Sequence, residues 1–436
     1  MTRSFSFKLN NSELLFIRLF VLLTFRSSVW SQLENAGQKD GTCRKPYVDI
    51  LVSPLVEKNG TSELLLFWNV ETVVPDGWIV LKRGTTLIFK SPINGTSGSV
   101  ETNHFYDSPD VYSFKKQYLG YNVEYIQNVT GAVLATSSME TNPTWMTDEA
   151  TLLGDLRIDN IFIPGTHDSG AYTGVLADSE KRIEKYVIAQ DEPVLNQLIF
   201  GIRSLDLRVS YYSVRNHDYD QLYINHGVRG VRPLREVVEQ IKEFLEKTRE
   251  ILILDFHQFP IGFSNFRILH LKPHETLIDY LLQELGPFIA PPQLTWNARL
   301  QDFWNLNKTL ILAYNNRKML SKYSHILWPP VHQKWGNAQE LSKLKEYMRN
   351  VFANPPIGPW SAQAELTATG RKIITDKLRG LRQMAASINT QVTEWFQSDW
   401  GAKCHIVTCD FFRSTGIVKT AISWNLRRAT GDSCDL

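Results

Sequence analysis

The sequence predicts an α/β protein: a TIM-type (β/α) barrel, which need not be regular, preceded by a small all-β sandwich. Three observations carry this. From Cys43 to about Thr141, short β-branched and aromatic runs are broken by turn residues, and no convincing helix appears. Beyond that point apolar strands alternate with longer helical stretches, the pattern of a mostly parallel sheet. Polar, titratable residues then recur at the C-terminal ends of those strands, where barrel enzymes carry their sites.

The elements follow in order. Residues 1–31 read as a secretory signal. Arg3, Lys8 and Arg18 are basic, "LFIRLFVLLTF" (Leu15 to Phe25) is apolar, and small residues follow. The apolar run is short for a bilayer span, which needs about 20 residues, and Arg18 interrupts it. A secreted, extracellular protein is therefore expected. Four sequons agree with that reading: Asn59-Gly60-Thr61, Asn94-Gly95-Thr96, Asn128-Val129-Thr130 and Asn307-Lys308-Thr309. Four cysteines, Cys43, Cys404, Cys409 and Cys434, allow three pairings, and the spacing does not choose among them.

Residues 32–145 form the expected sandwich. Its strands are "YVDILVSPL", "ELLLFWNV", "GWIVLKRG" and "YNVEYIQNV", with "METNPTWMTDEA" as the linker. Residues 146–436 form the expected barrel. Seven strand candidates are "NIFIPG", "GIRSLDLRV", "LYINHG", "EILILDFH", "TLILAY", "HILWPP" and "HIVTCDFF". Helices are expected over Pro233 to Glu250, Glu275 to Leu285 and most of Ala364 to Trp395. An open doubly wound sheet is the alternative, but no glycine-rich dinucleotide loop supports it.

Charge is balanced, with 47 basic and 45 acidic residues and a net charge of +2. Nucleic-acid binding would need a concentrated basic stripe, so it is not expected. No cofactor is expected either. Cys404, His405 and Cys409 could suggest zinc, but no second cluster has ligand spacing.

The strand ends are the informative positions. The first ends in His167-Asp168. The second carries Asp206 and Arg208, two apart and so on one face. The third ends in Asn225-His226, the fourth in Asp255 and His257, the fifth in Tyr314-Asn315-Asn316, and the last in Asp410. In a barrel the last strand adjoins the first, so Asp410 should lie beside His167 and make it a general base. His226 is the candidate general acid, and Arg208 can hold a phosphate oxygen. Base, acid and fixed cation suit phosphodiester cleavage. His217, His270, His274 and His332 fall in loops and are expected to be solvated. His405 begins a strand, at the wrong end for chemistry.

"IFIPGTHDSG", "GIRSLDLRV", "LYINHG" and "REILILDFH", in that order, resemble the X domain of phosphatidylinositol-specific phospholipases C. The match runs from about Leu156 to Phe259 and resumes at "IVTCDFF". It resembles the small X-domain-containing group, without a Y domain. The resemblance implies that His167, oriented by Asp410, takes the proton from the inositol 2-hydroxyl. It implies that His226, assisted by Asp168, protonates the diacylglycerol oxygen, giving a cyclic inositol phosphate. The pair Asp206-x-Arg208 is the bacterial-type pattern, in which a guanidinium stands where calcium-dependent enzymes bind the ion. His257 replaces a further carboxylate ligand. His257, Tyr314 and Trp335 then fall in the head-group pocket, with Tyr314 where an arginine is expected. Gln333 and Trp335 stand about where an aspartate and a stacking tyrosine would lie.

Three readings follow. The first is a phosphodiesterase of the phospholipase C type acting on phosphatidylinositol or a related lipid at a membrane surface. The second is a catalytically weak or inactive head-group or partner-binding protein on the same barrel. The third is a barrel hydrolase needing a divalent ion, which Arg208 in the pocket argues against. The sandwich's protein partners are unspecified.

Overall fold

The computed structural model describes residues 45–57, 60–109, 111–172, 184–213, 221–263 and 271–432. The expected signal segment, Cys43, Cys434, Asn59, His217 and His270 lie outside these residues. What is described belongs to one compact unit, Arg44–Leu436. Among the described residues no helix is long and apolar enough to cross a membrane.

Seven antiparallel strands come first: β1 (Tyr47–Val56), β2 (Ser62–Asn69), β3 (Gly77–Arg83), β4 (Thr86–Pro92), β5 (Ser97–Phe105), β6 (Tyr118–Gln127) and β7 (Ala132–Glu140). They form two sheets, β1-β2-β5 and β4-β3-β6-β7. Alternation places one face of each strand inward. Leu64, Leu66 and Trp68 of β2 meet Ile79 and Leu81 of β3 and Tyr121, Val123 and Tyr125 of β6 in a single core. The sequence located four of these strands; β4, β5 and β7 keep nearly all their residues exposed or half-buried and show no clear inward–outward alternation.

The second part is a mixed α/β fold. Its parallel strands are β8 (Ile163–Thr166), β9 (Ser204–Tyr211), β12 (Leu252–Gln258), β13 (Leu310–Tyr314), β14 (His332–Trp335), β15 (Trp360–Gln363) and β16 (Ile406–Cys409). Their order is β13-β12-β9-β8-β16-β15-β14, all pairs parallel. The last strand therefore lies beside the first, Cys409 opposite Thr166. Between β13 and β14 the described residues contain only an isolated bridge, Ala313 to Trp328, so a regular closed barrel is not shown.

Three expectations need correction. "LYINHG" is not a parallel strand. It forms β10 (Leu222–His226), antiparallel to the overhanging end of β9, and turns through Gly227 (φ +56°) into β11 (Arg229–Pro233). "HILWPP" supplies only the Trp328 bridge; the strand begins at His332. The helical window after Ala364 is broken into Gly370–Thr375, Leu381–Ala386 and Asn389–Gln397, because Gly380 sits at φ +102° where a helix cannot continue.

Helix α1 (Leu234–Lys247) shows why the outer layer packs. Leu234, Val237, Val238, Ile241, Phe244 and Leu245 fall on one stripe and are all buried. Helix α2 (Lys272–Leu285) does the same with Leu277, Ile278, Leu281 and Leu285. Helix α3 (Ile417–Thr430) joins the two parts: Lys419 Nζ bonds Asp49 Oδ1 at 2.5 Å and the Ser138 carbonyl at 2.7 Å.

Candidate active site

Two turns build the centre. β8 is packed so closely between β9 and β16 that a Cβ on Gly165 would lie 3.0 Å from the Ser204 carbonyl and from Thr408. Just past its end, Asp168 takes φ +39°, and beside it Phe411 takes φ +48° after β16. Left-handed backbone at non-glycine residues costs energy and clusters at functional sites. Polar anchors hold both turns: the Asp206 side chain accepts from Asp168 N at 3.1 Å, and Gln190 Nε2 donates to the carbonyls of His167 (2.9 Å) and Cys409 (2.8 Å). Asn389 Nδ2 donates to the Asp410 carbonyl at 2.8 Å.

These turns place His167 Nδ1 2.7 Å from Asp410 Oδ1, both buried. On the other side, Arg208 Nη2 lies 2.6 Å from His167 Nε2 and 3.0 Å from Asp206 Oδ2. A guanidinium has only protons to offer. His167 is therefore the neutral Nδ1–H tautomer, donating to Asp410 and presenting its lone pair to Arg208. Burial disfavours the imidazolium, but Asp410 and Glu365 outweigh both burial and Arg208, raising the ring's proton affinity to about 9. That affinity would favour protonation at neutral pH. The Arg208 contact excludes it in the unliganded site, and the hydrogen-bond geometry decides the resting form.

His226 stands across from this pair, its ring centroid 5.9 Å from that of His167. Its Nδ1 lies 2.7 Å from the Val187 carbonyl and 3.8 Å from Asp168 Oδ2, so the carbonyl, not Asp168, orients the ring. Burial, Arg208 and His167 push its proton affinity down to about 3. Asp168 is fully buried, neither carboxylate oxygen has a hydrogen-bond partner, and burial raises its proton affinity to about 7. Burial opposes ionisation of Asp206 too, but Arg208 and His257 hold it well below the usual carboxylate range. Arg208 Nε is buried without a partner, a donor left over after Asp206 and His167 are served.

A cavity of about 360 Å³ opens onto these groups. Its wall includes His167, Arg208, His226, His257, Gln333, Trp335, Gln363 and Glu365, with Leu366, Ile373 and Leu381 as an apolar side. His257 Nδ1 lies 2.9 Å from Asp206 Oδ1 and 2.7 Å from Gln333 Nε2. Trp335 is half exposed at the rim, its Nε1 bonded to Thr367 Oγ1 at 2.8 Å. Among the described residues no group of three or more His, Cys, Asp or Glu is arranged to hold a metal ion.

Two expectations fail here. Tyr314 is fully buried and does not line the cavity, its hydroxyl 2.7 Å from His274 Nδ1, so it is not a head-group contact. His274 is accordingly buried on α2 and not solvated, and burial pushes its proton affinity down to about 4. His332 is exposed as expected, and His405 is buried at the far end, bonded to the Ile158 carbonyl at 2.9 Å. Cys404 and Cys409 are buried thiols not joined to each other. Sequence reasoning missed Gln190 and Glu365. Glu365 sits two residues beyond β15, a strand the sequence did not reveal.

Comparison with known proteins adds a relationship. No family model matches the chain. PI-PLC X domain-containing protein 1 of Danio rerio is 25% identical over 304 residues, covering 64% of this chain and 94% of that one. The human protein of the same name is 24% identical over 310 residues, 65% and 92%. The chain resembles the PI-PLC X domain-containing proteins. Among solved structures, the phosphatidylinositol-specific phospholipase C of Listeria monocytogenes aligns over 65% of this chain and 98% of its own, with a TM-score of 0.46 and 18% identity. The resemblance to the X-domain proteins accounts for about two thirds of the chain.

Proposed function

We propose that the chain is a secreted, metal-independent phosphodiesterase that cleaves the glycerol–phosphate bond of phosphatidylinositol or a related lipid. Its scaffold is an irregular (β/α) barrel from about residue 146, following a sandwich domain of about residues 32–145. The observation that carries this is the His167 ring, held by a carboxylate at 2.7 Å on one nitrogen and a guanidinium at 2.6 Å on the other. That is a base beside the cation that would bind the phosphate under attack. A phosphodiester oxygen is a better partner for Arg208 than a neutral imidazole, because the bond is charge-assisted on both sides. Substrate then draws the guanidinium off His167 Nε2 and frees the base.

The steps follow from the groups present. His167 Nε2 removes a proton from a head-group hydroxyl, and that oxygen attacks phosphorus. Arg208 balances the charge on the non-bridging oxygens as the glycerol oxygen departs. His226 Nε2 delivers the proton to that oxygen while its Nδ1–H stays on the Val187 carbonyl. The product is a cyclic phosphodiester. His226 must be an imidazolium for this. A bound phosphate supplies negative charge against Arg208 and raises the ring's proton affinity from its unliganded value. Asp168 Oδ2, unpartnered and 3.8 Å from His226 Nδ1, faces the positive charge that then forms on the ring. No divalent ion is needed where a guanidinium fills the cationic role.

Leu366, Ile373 and Leu381 offer an apolar wall for the glycerol side, and exposed Trp335 marks a rim that contacts a membrane surface. Secretion is supported by the apolar N-terminal run and by the exposure of Asn94, Asn128 and Asn307. The test is cleavage of labelled phosphatidylinositol with chelator present; full activity in His167→Ala would contradict the mechanism. The low proton affinity of His226 favours a second reading, a head-group binder without turnover. Tight lipid binding with no product, unchanged in His226→Ala, would select that reading.

A further inference from the structure

Glu365 is the group in the cavity that the mechanism does not use. It is 3% exposed, and neither carboxyl oxygen has a hydrogen-bond partner. It lines the same cavity as His167, Arg208 and His226, just past the end of β15. It lies close enough to His167 and Arg208 for their charges to act on its ionisation. Buried polar atoms are almost always paired, and an orphan in a cavity wall is explained by a ligand that supplies the missing bonds. Gln363, two residues earlier, is no substitute partner: it bonds Ser361 Oγ and Thr408 Oγ1.

The chemistry of the ligand follows from what a carboxyl group can bond. Burial pushes the Glu365 proton affinity up to about 8, with His167 and Arg208 opposing, so both forms are accessible near neutral pH. Ionised, the group only accepts; protonated, it donates once and accepts once. A hydroxyl satisfies either form. A phosphate monoester dianion cannot donate to the ionised form and repels it, and a trimethylammonium group offers no N–H or O–H donor at all. Among the described lining residues Arg208 is the only lysine or arginine, and Asp206 already shares it, so these residues offer a second phosphate no further counter-charge. The rest of the described polar wall carries amide, imidazole and hydroxyl groups, among them Gln258, Gln333, His257, Tyr186 and Thr367.

We propose that Glu365 is a specificity-determining residue that binds hydroxyl groups of a polyol head group, adjacent to the hydroxyl that His167 deprotonates, and selects heads with no phosphate there. This rests on the phosphodiesterase reading and names its substrate class. The test uses wild type, Glu365→Ala and Glu365→Gln with phosphatidylinositol analogues that each lack one ring hydroxyl. Wild type should lose about 10–100-fold in kcat/KM on one or two adjacent deoxy positions, mainly through KM. Glu365→Ala should lose a similar factor on the parent lipid and nothing further on those same analogues. Glu365→Gln, which keeps shape and one acceptor, should fall between the two. An equal loss across every analogue would overturn the assignment and leave Glu365 a structural residue.

Binding of myo-inositol 1-phosphate by calorimetry separates this claim from catalysis. Binding weakened about tenfold in Glu365→Ala, with no lipid turnover by wild type, would sink the enzymatic reading and keep the Glu365 assignment. Equal binding by wild type and Glu365→Ala would overturn the assignment whatever the activity.

Discussion

Asp410→Asn removes one charge and almost no volume from a buried part of the site. The carboxylate lies 2.7 Å from His167 Nδ1 and is 3% exposed. Of the groups that favour a charged His167, it contributes most. The ring's proton affinity of about 9, against an ordinary 6.5, corresponds to roughly 3 kcal/mol at 1.36 kcal/mol per tenfold. Losing the charge should therefore cost about 10²-fold in rate. Asparagine can also turn its amide toward Nδ1 and stabilise the other tautomer, leaving a proton on Nε2 where the base needs a lone pair; general-base losses of this kind reach about 10⁴-fold. The expected fall in kcat lies between those limits, with KM nearly unchanged, because the carboxylate does not line the cavity. Release of labelled head group from phosphatidylinositol vesicles in excess chelator measures it, with the unfolding midpoint as a check on folding. Activity within threefold of wild type would refute the claim that Asp410 makes His167 a base.

Other expectations follow from the same geometry. Arg208→Ala strips the counter-charge from buried Asp206 and from the proposed phosphate site, so kcat/KM should fall by at least about 10²-fold; near-normal turnover would remove the guanidinium from the mechanism. Glu365 releases its proton near 4.5 in the unfolded chain and near 8 in the fold. Between these values the native state keeps a proton that the unfolded chain has lost, so stability is fullest below about pH 5 and declines up to about 8. Glu365→Gln should gain stability relative to wild type across that window, by up to roughly 3–5 kcal/mol in urea titrations at pH 5 and pH 8; parallel curves would contradict the burial of a partnerless carboxyl. Lys419→Met leaves Asp49, 3% exposed, without its cation and should cost roughly 2–3 kcal/mol, and a change below 0.5 kcal/mol would mean the contact between the two parts lies elsewhere.

Much of the site was legible because strand periodicity is a local signal with a long-range consequence. Asp206 and Arg208, two apart on one strand, had to share a face, and the adjacency of first and last strands brought His167 to Asp410 across 243 positions. What was missed has physical causes. "WSAQ" is a four-residue strand, too short for alternation to register, so Glu365 just beyond it was absorbed into a supposed helix. Gln190 acts through backbone carbonyls and leaves no pattern in sequence. "LYINHG" has the composition of a barrel strand, and only its pairing with the overhang of β9 reveals a hairpin. Tyr314 ends its strand like a site residue, yet its hydroxyl finds His274, a tertiary contact with no local trace.

The most direct test of the central claim is phosphorus NMR of the products formed from phosphatidylinositol in the presence of chelator. A cyclic inositol phosphodiester appearing with wild type and absent with His167→Ala is the predicted result. No phosphorus-containing product, or turnover only when a divalent ion is restored, would contradict it.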